Sequence, residues 1–186
     1  MVKKVVFILL AFAMLFSSCS VKKKCSEDLS KVYLKESKLK VKGTVYINSI
    51  PALFLLKKEN TKETLKLFTP FGKKVGEFKK DKSVVKFSVK DFEISSRYTE
   101  FIEKLPLSLS ELLSGKIYRE KIEKIYCTED GFTVIEKKDA KIYIKNGKIR
   151  KILWKTFKAD YTYDGFKVSK ITIYNKEKKQ AVIYIK

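Results

Sequence analysis

The sequence predicts a mainly β (α+β) domain: one large antiparallel sheet with helices laid across it. Three observations carry this. Apolar and polar residues alternate with period two along much of the chain, as in Leu39, Val41, Val45 and Ile47. Asn146-Gly147 and Asp164-Gly165 each separate two such runs, the signal of a two-residue hairpin. Between the two β-rich halves, Tyr98, Phe101, Ile102 and Leu105 follow the i, i+3, i+4, i+7 spacing of an amphipathic helix.

Taken in order, the domain begins with a helix from Ser26 to Ser37. Ser26 caps it, Glu27 and Asp28 suit its positive end, and Leu29, Val32 and Tyr33 share a face. The first strand follows, interrupted by Gly43, which marks a bulge or sharp curvature. Pro51 breaks the run, and Ala52–Lys57 and Glu63–Phe68 read as strands joined by Glu59-Asn60-Thr61. Thr69-Pro70-Phe71-Gly72 fits a type I turn, with Pro at its second position and Gly at its fourth. Strands over Val75–Phe78 and Ser83–Val89 and a short continuation over Phe92–Ile94 follow.

The middle is helical. A helix starts at Ser96 and stops at Pro106, and Ser108-Leu109-Ser110-Glu111 is a capping box that opens a short helix closed by Gly115. A weaker helical piece covers Tyr118–Glu123. Strands return at Lys124–Cys127, Phe132–Glu136, Lys141–Lys145, Lys148–Trp154, Tyr161–Tyr163, Phe166 onward, Ile171–Tyr174 and Val182–Ile185. The total is about ten or eleven antiparallel strands, and so wide a twisted sheet curls. Helices across its mouth enclose an apolar space, which strand pattern alone leaves as either a filled core or a ligand pocket.

The amino terminus is a leader. Lys3 and Lys4 precede an unbroken apolar run from Val5 to Phe16, too short to span a bilayer as a helix and the right length for a signal-peptide core. Leu15-Phe16-Ser17-Ser18-Cys19 resembles a bacterial lipobox, with Phe16 where Leu is usual. The reading is a signal peptide over 1–18, lipidation at Cys19, a tether over 19–25 and one domain over 26–186; an ordinary cleavage site beside an incidental Cys is the alternative. Stable anchoring requires more than one acyl chain, which bacterial lipoproteins carry. Ser20 follows the cysteine, and the absence of Asp there favours delivery to the outer membrane, on its periplasmic face.

Net charge is +21, from 42 Lys and Arg against 21 Asp and Glu. Nucleic acid is nevertheless not the expected partner. The leader exports the chain, and Arg97, Arg119 and Arg150 are the only arginines, whereas phosphate and base readout favour Arg forks. The lysines alternate with apolar residues, as in Lys38-Leu39-Lys40-Val41-Lys42, and so read as the solvated face of strands near anionic headgroups. With Cys19 lipidated, Cys25 and Cys127 remain to pair in an oxidising compartment. The chain has no His, no Gly-rich phosphate loop and no nucleophile–base spacing. It does not read as an enzyme, and no metal or cofactor is expected.

The Pro70–Gly72 turn is the most informative stretch. Phe71 stands at its tip with Phe68 behind and Lys73 and Lys74 after it. An apolar knob beside cations suits a surface greasy inside and anionic outside, which describes a bilayer; the opposite reading folds Phe71 back into the core.

Lys40-Val41-Lys42-Gly43-Thr44-Val45, the stretch Leu65–Gly72, the stretch Leu105–Gly115 and Ser169-Lys170-Ile171-Thr172-Ile173-Tyr174 are similar in order and spacing to LolB, the outer-membrane lipoprotein receptor family of the lipoprotein localisation pathway. The resemblance covers most of the mature chain. It implies a curved, incomplete antiparallel β-barrel with a helical lid. It also implies a monomer whose concave cavity takes the acyl chains of lipoproteins from a periplasmic LolA-like carrier and delivers them to the outer membrane. In that family a protruding loop assists insertion; here it corresponds to Pro70, Phe71 and Gly72, with Phe replacing the usual Leu. Cavity candidates are Val41, Val45, Leu67, Ile102, Leu105, Leu109, Leu112, Leu113 and Trp154. The chain departs from the family in being far more basic and in lacking its frequent early Trp. The alternative is an envelope lipoprotein that binds a lipid or partner protein as sensor or scaffold without transfer.

Overall fold

The computed structural model describes residues 28–81, 84–89 and 105–186. Within them lies one unclosed sheet of twelve strands, close to the expected count. The strands are β1 (Lys38–Ile47), β2 (Ile50–Glu59), β3 (Lys62–Phe68), β4 (Lys74–Asp81), β5 (Val84–Val89), β6 (Lys124–Cys127), β7 (Thr133–Lys137), β8 (Ala140–Lys145), β9 (Lys148–Trp154), β10 (Phe157–Asp164), β11 (Lys167–Asn175) and β12 (Lys178–Ile185). One short helix, α1 (Leu109–Ser114), accompanies them. The spatial order is β5-β4-β3-β2-β1-β12-β11-β10-β9-β8-β7-β6, so two meanders meet at the β1–β12 pair. Every neighbouring pair is antiparallel, and β5 and β6 form the two edges of a curved, incomplete barrel.

Period two decides which face is buried. Val41 pairs with Leu56 and Val45 with both Ala52 and Ile183. Beyond the junction apolar pairs continue across the sheet, through Ile183–Ile171, Ile171–Tyr161, Ala159–Ile152, Ile152–Ile142 and Ile142–Ile135. All belong to one buried cluster, and Ile135, Ile142, Ile152 and Ile171 are wholly excluded from solvent. Each such side chain contributes about 1.5–3 kcal/mol by leaving water.

Gly43 produces no bulge: its pairings to β2 and β12 run without a register shift. Its role is close approach. A Cβ there would lie 1.9 Å from the Tyr184 carbonyl oxygen and 2.8 Å from the Phe54 ring, which covers the glycine from the adjacent strand. The observed irregularities lie at Leu67/Phe68, Tyr143/Ile144, Thr162/Tyr163 and Ile173/Tyr174. Pro51 does not break the run either. It is the second residue of β2, opposite Tyr46, at a strand start where a missing N–H is tolerated.

The helices differ most from expectation. Among the described residues the first is a single 3-10 turn over Leu29–Val32, capped by Asp28, and the chain is extended by Tyr33. Its backbone bonds go to the other connection instead: Leu34 N–H donates to Ile117 C=O and Ile117 N–H to Val32 C=O, each at 2.8 Å. Tyr118–Glu123 is turn and bend, with Lys121 at φ 63°. The Ser108 capping box and Gly115 at φ 63° close α1 as the sequence indicates. Ser26, the strand over Phe92–Ile94 and the helix from Ser96 lie outside the described residues.

Gly43→Ala is expected to destabilise the fold by more than the about 1–3 kcal/mol of ordinary overpacking, because the obstruction is backbone. Urea denaturation monitored by Trp154 fluorescence checks this; an unchanged midpoint removes the close-approach explanation.

Candidate functional site

Antiparallel order divides the turns between two rims. The turn between β3 and β4 shares its rim with the Asn48-Ser49, Lys138-Asp139 and Lys176-Glu177 turns. The Asn146-Gly147 and Asp164-Gly165 turns stand on the opposite one.

On the first rim Thr69 C=O accepts from Gly72 N–H at 2.9 Å, and Thr69 N–H donates to Lys73 C=O at 2.8 Å. Gly72 takes φ 84°, the left-handed value that lets the strands re-pair after a type I turn. Backbone closure leaves the tip outside the sheet. Phe71 is 97% exposed, which decides between the two sequence readings of this side chain. Pro70 and Gly72 are exposed with it. Behind the tip, Glu77 collects Lys74 at 2.8 Å, Lys79 at 3.5 Å and Lys66 at 3.8 Å. The Lys74 hydrogen bond, above all, holds the Glu77 carboxyl below its ordinary range.

Eight of the nine cavity candidates gather in or against one buried cluster, three of them on α1 itself. Val41, Val45, Leu67, Leu109, Leu112, Leu113 and Trp154 are all members of the buried cluster, and Leu105 packs half-buried against it. Ile102, like Cys19, lies outside the described residues. Trp154 stacks on Phe157 with ring centroids 5.5 Å apart. Tyr161, fully enclosed, donates its hydroxyl to Leu112 C=O at 3.0 Å and so ties the last turn of α1 to β10. Burial, with Tyr163 and Glu111 adding to it, raises the Tyr161 phenol well above its ordinary range.

The concave face is not purely apolar. Lys137 and Glu111 form an ion pair at 2.6 Å with each side chain only 4% exposed. Lys137 also donates to Tyr118 C=O at 2.7 Å, and Glu111 accepts from Tyr118 N–H at 2.9 Å. Ser110 bonds the Glu63 carboxylate on β3 and sits 3.0 Å from the Tyr118 hydroxyl. Lys58 and Lys137 flank the Tyr118 ring, 5.1 and 5.7 Å from its centroid. Sequence reading treated Ser110 and Glu111 as capping residues alone. Capping does occur, with Ser108 N–H donating to Glu111 at 3.0 Å, but the same carboxylate also anchors α1 to β7.

A second exposed aromatic escaped the sequence reading. Phe166 is 84% exposed at the exit of the Asp164-Gly165 turn, on the rim opposite Phe71. Lys148 lies 5.0 Å over its ring and donates to Gly165 C=O. The signal was available: an aromatic beside a glycine turn and next to a lysine, the same grouping as Phe71 and Lys73. Beside it opens a groove of about 840 Å³ between α1, the 28–37 segment and the β10–β11 hairpin. Val41 and Leu113, two of the cavity candidates, reach this groove.

No known protein family matches the chain, and no curated protein matches it significantly in sequence.

Lys137→Met is expected to cost about 3–5 kcal/mol by leaving the Glu111 carboxylate buried without its cation. Adding Glu111→Gln removes that charge, so the double variant is expected to be the more stable of the two. Equilibrium denaturation of both checks the coupling, and a double variant weaker than Lys137→Met alone contradicts it.

Proposed function

We propose that the chain is an outer-membrane-anchored acceptor that takes the acyl chains of lipoproteins from a periplasmic carrier and inserts them into the membrane. The observation that carries this reading is Phe71, 97% exposed at the tip of a Pro-Gly turn on the rim of a curved, unclosed sheet. Its cost in water is offset where the side chain meets an apolar phase, and Lys73 and Lys74 suit the anionic boundary of that phase. The leader ending at Cys19, the concave apolar face beneath α1 and the resemblance of the Leu65–Gly72 and Leu105–Gly115 stretches to LolB support the same reading. Acyl transfer is energetically reasonable, since each methylene contributes about 0.8 kcal/mol on burial and the same term is recovered on release into lipid.

One observation favours a second reading, a lipid- or partner-binding sensor or scaffold without transfer. The Lys137–Glu111 pair and the Tyr161–Leu112 bond pin the middle of α1 to β7 and β10, and a pinned lid suits a fixed binding face.

In transfer from a loaded carrier to liposomes, Phe71→Glu is expected to leave cargo acceptance intact and to reduce insertion at least tenfold. Equal insertion by both proteins removes Phe71 from the mechanism, and failure of the parent protein to accept cargo favours the second reading. The compartment has its own test. Cys127 is disulfide-bonded, and lipidation of Cys19 leaves Cys25 as its partner. The mature protein should gain the mass of two hydrogens on reduction, and Cys25→Ser should yield a free Cys127 thiol; an intact mass unchanged by reductant contradicts the pairing.

A further inference from the structure

The groove beside Phe166 has a composition that the transfer reading does not use. Its floor is apolar, formed by Leu39, Val41, Leu113, Val168 and Ile185. Its wall and rim carry Lys31, Lys40, Lys116, Lys148 and Lys167, with Glu36 and Asp164 as the acidic side chains. Glu36 is engaged by Lys116 at 3.5 Å. Tyr163, also in the wall, has a buried hydroxyl beside the Ile149 backbone, and its own O–H meets no acceptor among the described residues. Burial pushes its ionisation far above the ordinary phenol range, so it remains a neutral donor. Gly115, at φ 63°, lets the end of α1 pack closely on this wall: a Cβ there would meet Val168 at 2.5 Å and the Tyr163 hydroxyl at 2.8 Å.

We propose that this groove binds an anionic phospholipid, with the headgroup among Lys116, Lys148 and Lys167 and the acyl chains on the Leu39, Val41, Leu113 and Val168 floor. Charge complementarity selects the occupant. A peptide segment or neutral lipid would leave an excess of lysine ammoniums facing one another, whereas a phosphodiester accepts from several at once. Phe166 supplies an apolar plate at the mouth, and Lys148 spans the ring and the groove. The inference deepens the acyl-binding reading and rests on it: it names the charge of the head that the site prefers. The groove opens on the rim opposite Phe71, so a bilayer held by Phe71 leaves it accessible.

The test uses the full mature chain in phosphatidylcholine nanodiscs with a photoactivatable dihexanoyl-phosphatidylglycerol, and maps crosslinks by mass spectrometry. Crosslinks are expected in the Gly147–Lys148 and Tyr163–Ser169 peptides. Unlabelled dihexanoyl-phosphatidylglycerol should compete at least tenfold better than dihexanoyl-phosphatidylcholine, and inorganic phosphate should not compete. Lys148→Glu with Lys167→Glu should lower labelling at least tenfold, while the equal charge change Lys155→Glu with Lys178→Glu on the other rim should not. Equal competition by the two lipids overturns headgroup selection and leaves the acyl-binding reading standing. Competition by phosphate reduces the groove to a bare anion site, and equal loss in both charge variants reduces the effect to net charge; either result overturns the proposal. Absent crosslinking in a protein that still accepts lipoprotein overturns this inference alone.

Discussion

The constraint on which the molecule depends is the width of its sheet. Twelve antiparallel strands present one apolar face far larger than a six-residue helix can cover. The sheet curls, so that among the described residues the apolar side chains from Ile183 to Ile135 and those of β1 to β4 share one interior. The β1–β12 junction makes this possible by placing two meanders edge to edge. Gly43 sits at that junction because nothing larger fits between the Tyr184 carbonyl and the Phe54 ring.

The lid is held to this curved face by polar bonds as well as by leucines. Leu109, Leu112 and Leu113 supply area, but area is indifferent to register along a row of similar side chains. The Lys137–Glu111 pair, the Ser110–Glu63 bond and the Tyr161–Leu112 bond have one satisfactory geometry each. Buried ion pairs are weak sources of net stability, and their value here is the unique seating of α1 over the sheet.

Charge follows from the same division of faces. Lysines at the outward positions of strands give that face a solvated, cationic surface and discourage pairing at exposed sheet edges. Where the alternation lapses at a turn, an aromatic is left in water beside ammonium groups. Phe71 and Phe166 are the two large examples among the described residues, and they stand on opposite rims. One rim thus carries Phe71 at a Pro-Gly tip, and the other carries Phe166 beside a lysine-rimmed groove.

Strand identity, the Asn146-Gly147 and Asp164-Gly165 hairpins and the capped α1 were legible in the chain, because period two, Asn-Gly turns and Ser-x-x-Glu boxes are local rules. Other boundaries were not. Asn48-Ser49, Lys138-Asp139 and Lys176-Glu177 form tight turns at positive φ without glycine, so their signal is weaker than that of an Asn-Gly pair, and Lys176-Glu177 carries none. The apolar stripe of Leu29, Val32 and Tyr33 does not make a long helix because Val32 and Leu34 pair their backbone with Ile117, a partner distant in sequence. By itself the sequence determined an antiparallel sheet, its buried face and an aromatic at a Pro-Gly tip, since each depends on neighbours a few residues apart. Only the tertiary structure decided that Phe71 faces water, that Glu111 meets Lys137 and that a lysine-rimmed groove opens beside Phe166, since those outcomes depend on how far the sheet curls and which strands it brings face to face.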